Sequence, residues 1–148
     1  MKIHKLKLST EIKAEKSLIW KTLWEEGSYR DWVKVFGEGS YMEVEIWEEN
    51  SKVLFLDPDK NGIYSTIVEY IPNQLVRFKH IGNVAKGEEQ PIDEETKKWS
   101  GALEEYRIEK GEDFNTLIIE IDILDEHLDF MKEKLPLALE KIKNNCSL

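Results

Sequence analysis

The chain has 148 residues, 41% apolar and 34% charged, a balance expected of one soluble domain, residues 1–148, with apolar side chains enough for a core. Thirty acidic against twenty-one basic residues give a formal charge of -9, which disfavours nucleic acid and anionic membrane surfaces as partners, and no basic patch interrupts it. A single cysteine, Cys146, excludes an internal disulfide and a cysteine-rich zinc site; no apolar run reaches membrane-spanning length, and the alternating start lacks a signal-peptide core, so a cytoplasmic location is expected.

The first element is a half-buried strand over residues 3–13, because Leu6, Leu8, Thr10 and Ile12 share one face and Lys5, Lys7 and Glu11 the other. Ser17 then precedes a short helix in which Ile19 and Leu23, and Trp20 and Trp24, fall four apart, closed by Gly27. Ser28 is expected to cap a second short helix, with Asp31 near its first-turn amides and Gly37 at its end.

From Ser40 the period drops to two. Met42, Val44 and Ile46 alternate with Tyr41, Glu43, Glu45 and Trp47, and a polar turn leads into KVLFLDP. Asn61-Gly62 offers the positive backbone angles of a hairpin before GIYSTIVEYI, and Pro72-Asn73 turns the chain into QLVRFKHIG. Residues 83–98 form a long polar connection, carrying Glu88, Glu89, Asp93, Glu94 and Glu95, that reads either as a mobile rim or as a solvated excursion. The strands WSGALEEYRIEK and FNTLIIEIDIL, joined at Gly111, complete seven.

The last segment, residues 125–148, is the long helix. Asp125 is placed as its N-cap, Glu126 and Asp129 lie in the first turn, and Lys141 and Lys143 near the end complement the helix dipole. Leu128, Met131, Leu135, Leu139 and Ile142 form one apolar stripe. At roughly 1.5–3 kcal/mol per buried side chain, its docking is worth about as much as the net stability of a domain. Pro136 within the stripe predicts a kink or a split.

This order of elements predicts an α+β helix-grip (START-like) fold: a seven-stranded antiparallel sheet wrapped around a long C-terminal helix, with two short helices after strand one. The segment IKAEKSLIWKTLWEEGSYRDWVKVFGEGS resembles the opening of the activator of heat-shock-protein-90 ATPase homologue family, within the SRPBCC superfamily. Ile19-Trp20 with Leu23, Tyr29 and Trp32, SKVLFLDPDKNG, STIVEYIPNQLVRFKHIG, Glu104 with Tyr106, and PLALEKIK extend the resemblance over nearly the whole chain. It implies a binder of a hydrophobic or amphipathic ligand, or a chaperone-associated interaction module; the separate chaperone-engaging domain of the co-chaperone is not expected within 148 residues. A cyclase or hydrolase of the kind found in the superfamily is a third possibility.

A cavity between sheet and helix would be lined by Met131 and Leu135 and by inward strand positions. Alternation places Val76, Phe78 and His80 on the core side of one strand and Ala102, Glu104, Tyr106 and Ile108 on that of the next. Glu104 would accept a ligand hydrogen bond with Tyr106 and His80 as donors, desolvation raising its pKa; the alternative, which the residues favour, is that it sits near the rim as an internal tie to His80 or a lysine. Trp20, Trp24, Trp32 and Phe36 form an aromatic wall that serves a core as well as a pocket, and the resemblance puts Trp32 and Phe36 nearest the mouth.

No cofactor is expected. The acidic neighbours Asp122, Asp125, Glu126 and Asp129 lack a calcium-loop pattern, and FGEGS is too short for a dinucleotide fingerprint. Cys146 is expected on a fraying end without a partner base, and Asn145-Cys146-Ser147, a glycosylation sequon, has no meaning in a cytosolic chain.

Overall fold

Apolar side chains at every second position build one antiparallel sheet, and three-to-four-residue spacing builds the helices that cover its concave face. The computed structural model describes residues 3–146, so Ser147 of the sequon and the last two residues of the expected final helix lie outside the described residues. The elements are β1 (Ile3–Ile12), α1 (Lys16–Trp24), α2 (Glu26–Val33), β2 (Tyr41–Val44), β3 (Lys52–Leu56), β4 (Gly62–Ile71), β5 (Leu75–Ala85), β6 (Glu88–Glu89), α3 (Glu94–Lys97), β7 (Leu103–Lys110), β8 (Asn115–Leu124), a 3₁₀ turn (Asp125–His127) and α4 (Leu128–Cys146). The sheet runs β1-β8-β7-β5-β4-β3-β2, with β6 paired to the end of β5.

Several boundaries differ from the sequence reading, each for a local reason. The break between α1 and α2 is at Glu25, whose backbone is extended, and Gly27 lies inside α2. Ser28 closes α1 rather than opening α2: its hydroxyl donates to the carbonyls of Lys21 and Glu25, both at 3.1 Å. Residue Glu15, not Ser17, stands at the start of α1. Asp31 ties helices together instead of capping, accepting Asn145 Nδ2 at 2.9 Å with Lys141 Nζ at 3.4 Å.

β2 stops at Val44 because Ser51 Oγ takes the amide of Ile46 at 3.1 Å, out of the ladder. The alternation therefore changes phase: Ile46 is 55% exposed, while Trp47 turns inward, its ring 5.4 Å from that of Trp24 and 5.8 Å from that of Tyr70. In the β3–β4 turn the positive φ belongs to Lys60 (64°), and Asp57 accepts the amides of Asp59 and Asn61. Gly62 is needed for close approach, since a Cβ there would lie 1.8 Å from the Phe55 carbonyl oxygen.

Residues 83–98 are neither an irregular excursion nor a bare rim. β5 continues to Ala85, turns at Lys86 (φ 52°) and Gly87 (φ 83°), and β6 pairs back on it. Asp93 then caps α3 through the amide of Thr96 at 2.9 Å, and buried Thr96 receives Asn83 Nδ2 at 3.2 Å.

The final helix proper starts at Leu128, after the 3₁₀ turn, so Asp125 is not its N-cap. It is not split by Pro136. That residue is exposed, so the carbonyl of Lys132, deprived of its helical donor, can be met by water. Leu135, Ala138, Leu139, Ile142 and Cys146 are buried in the core with Leu23, Trp32, Phe78 and Ile119. Cys146 is thus not on a free end: it is 5% exposed, with Sγ 3.4 Å from the Thr22 hydroxyl. The second half of α4 seals the core; the first half, through Phe130, Met131 and Leu135, stands over open space.

Candidate functional site

The strand register assembles the polar centre. Ser65 on β4 pairs with His80 on β5, and His80 continues the ladder towards β7 by accepting the Gly101 amide at 2.7 Å and donating to the Ala102 carbonyl at 2.8 Å. Two-residue alternation then turns Ser65, His80, Glu104 and Tyr106 onto the concave face. His80 Nε2 lies 3.0 Å from Glu104 Oε1, Nδ1 lies 2.6 Å from Ser65 Oγ, and the Tyr106 hydroxyl donates to Glu104 Oε2.

Burial raises the Glu104 pKa, but the His80 hydrogen bond, the imidazole charge and the Tyr106 hydrogen bond outweigh it, and the carboxyl is held below its ordinary value. This reverses the expected upward shift: desolvation alone would raise it, and the partners win. Tyr106 is pushed well above its ordinary value by burial, then by the Glu104 charge and hydrogen bond. Tyr29 is pushed up by burial and by Glu104. With the carboxylate ionised, Nε2 meets it as N–H, and a neutral imidazole accepts the Ser65 hydroxyl at Nδ1.

Above this centre lies a cavity of about 360 Å³ bordered by Trp32, Phe36, His80, Glu104, Tyr106, Met131 and Leu135. Those are seven of the eight residues singled out from the sequence. The eighth, Phe78, is fully buried beneath, its ring 5.2 Å from Phe55 and 5.6 Å from Trp24, so it supports the wall without lining it. A second cavity of about 320 Å³ borders Asn83, Trp99, Ala102 and His127, and shares Ile63, His80, Glu104, Ile121 and Met131 with the first. The two spaces meet at the polar centre, under Met131.

Sequence reasoning missed Phe55, Ile63 and Phe130 as lining residues. KVLFLDP is apolar on both faces, so alternation could not choose Phe55, which pairs with Ile63 across β3 and β4. Phe130 lies off the stripe of α4 and is 44% exposed, with no signal to mark it.

An open antiparallel sheet gripping a long C-terminal helix, with two short helices after its first strand, defines a helix-grip, START-like fold. Its solved neighbours include the Aha1 dimer from Colwellia psychrerythraea, 19% identical, with 95% of this chain and 94% of that one covered at a TM-score of 0.64. A protein from Mesorhizobium loti is 8% identical over 97% of both chains with a TM-score of 0.74, and one from Rhizobium leguminosarum is 9% identical over 99% and 95% with a TM-score of 0.65. At these identities the likeness is one of fold. No family model and no curated protein matches the sequence.

Proposed function

We propose that this chain, as a single cytoplasmic domain, binds a small, largely apolar molecule bearing one polar group between the sheet and the first half of α4. The observation that carries this reading is the cavity itself: a half-open pocket with a largely aromatic and aliphatic wall, the hydrogen-bonded centre of His80, Glu104 and Tyr106 at its floor, and Ser40, Asp57 and Asn61 also in its lining. Its volume lies near the lower end of the usual range for ligand sites, about 300–1,000 Å³, so the guest is small. Side chains of the polar centre are held by neighbours on three strands, which fixes their orientation before a ligand arrives.

Recognition suits the centre better than acid–base chemistry. Both Glu104 oxygens already accept hydrogen bonds, and the carboxyl is held below its ordinary value, away from the range in which a general acid works near neutral pH. Native mass spectrometry of the purified protein tests the reading: a discrete added mass that disappears on denaturation is expected. Failure to find one, together with no binding from a panel of small aromatic and aliphatic alcohols, would remove it.

A further inference from the structure

The proposed binding leaves the ligand's polar group open, and the chemistry of the cavity wall narrows it. Among the described residues, no lysine or arginine lines either cavity. The carboxyl and imidazole side chains in the lining are Glu104, Asp57 and His80 in the first and Glu104, Asp122, His80 and His127 in the second. Asp57 is committed to the amides of its turn, and Asp122 to Lys5 Nζ at 2.9 Å and the Leu103 amide at 2.9 Å. Glu104 differs: its partners are an imidazole and a phenol, neither of them a permanent cation.

The proton inventory has the same sign. Tyr106 gives its O–H to Glu104, and a neutral His80 gives Nε2–H to the other oxygen and accepts the Ser65 hydroxyl at Nδ1. These three donors are used within the polar centre, whereas a carboxylate with about four lone-pair sites has only these two filled. The Glu104 side chain, 24% exposed, borders both cavities, so the unused acceptor capacity is what a guest can meet. The His80–Glu104 pair carries a charge of −1 with neutral imidazole and zero with imidazolium. In neither state does it attract an anion.

Around this acceptor stand the rings of Tyr29, Trp32, Phe36, Phe55 and Tyr106, whose electron-rich faces attract organic cations. Arg30 stacks 5.0 Å from the Tyr41 ring, but from an adjoining groove and outside the lining of this cavity. The formal charge of -9 adds a general attraction for positive solutes.

We infer that the site selects a small organic cation, an amine or quaternary ammonium on an aromatic or aliphatic body, held between the Glu104 carboxylate and the ring faces. This rests on the binding reading above. A matched set of three probes separates the two ideas: phenethyltrimethylammonium, 3-phenyl-1-propanol and 3-phenylpropionate, titrated calorimetrically against the wild-type chain, Glu104→Gln and Phe36→Leu. Expected is binding of the cation about tenfold tighter than the alcohol, with the anion weakest. Glu104→Gln should bring cation and alcohol within about threefold of each other. Phe36→Leu, which leaves the carboxylate in place and serves if the first variant fails to fold, should weaken the cation more than the alcohol. If the anion binds as tightly as the cation, or the cation preference survives both substitutions, the inference is overturned while ligand binding stands. If none of the three binds, the binding reading falls with it.

Discussion

His80 directs its Nε2 at Glu104 Oε1 over 3.0 Å from the neighbouring strand, with side-chain exposures of 12% and 24%. Each partner makes the other's burial tolerable: the carboxylate gains a donor, and the ring is fixed in orientation between Glu104 and Ser65. Removing one side should therefore cost more than the bond is worth. His80→Ala is expected to destabilise the fold by about 1–3 kcal/mol, and Glu104→Gln, which keeps an acceptor for Nε2–H, by less. Urea denaturation of the two variants checks the order.

Acid should act on the same bond and on a second carboxyl across the sheet. Glu104 and Glu105 both have folded-state pKa values below their ordinary 4.5. For Glu105 burial is again an opposing effect, overcome by Arg77 and Arg107. A depressed carboxyl contributes stability that is present above its unfolded value and is lost as the pH falls through the folded one. Stability is expected to drop below pH of about 4.5, and Glu104→Gln should lose less than wild type between about pH 6 and about pH 3. Unfolding free energies measured across that interval decide it; equal slopes would contradict the assignment.

On the convex face, Glu105 is 8% exposed and joins Arg77 Nε at 2.9 Å to Arg107, which also reaches Glu120 at 3.1 Å. Glu105→Ala is expected to cost about 1–3 kcal/mol, more than the exposed pair of Lys97 and Glu94, which is worth less than about 1 kcal/mol. Paired denaturation curves for Glu105→Ala and Glu94→Ala measure the difference.

Much of this was legible in the sequence. Inward positions Val76, Phe78, His80, Glu104, Tyr106 and Ile108 follow from strict alternation, and the buried stripe of α4 from its three-to-four spacing. What alternation cannot carry is a change of phase. Trp47 turns inward only because Ser51 interrupts the ladder, and Ser65 joins the polar centre only through its register with His80, which follows directly on a register shift between Tyr64 and Ser65. The importance of Glu105 was equally hidden, since an outward carboxylate two residues before Arg107 looks like plain surface until strand pairing brings Arg77 beside it.

Pro136 sits exposed within α4 without splitting it. Replacement by alanine would restore an amide donor towards the Lys132 carbonyl, so Pro136→Ala is expected to raise stability by about 1–2 kcal/mol, less than the full interior-proline penalty. A thermal unfolding curve shifted downward would mean that the proline is pre-organising the helix instead.

The central claim is that the space beneath Met131 receives a ligand. Met131 borders both cavities, so Met131→Trp should fill the site while leaving the buried half of α4 undisturbed. The direct measurement is the affinity of 3-phenyl-1-propanol for the wild-type chain and for Met131→Trp, with fold checked by circular dichroism. Binding to wild type that weakens by about tenfold or more in the folded variant is the predicted result; equal affinity in the two proteins would contradict it.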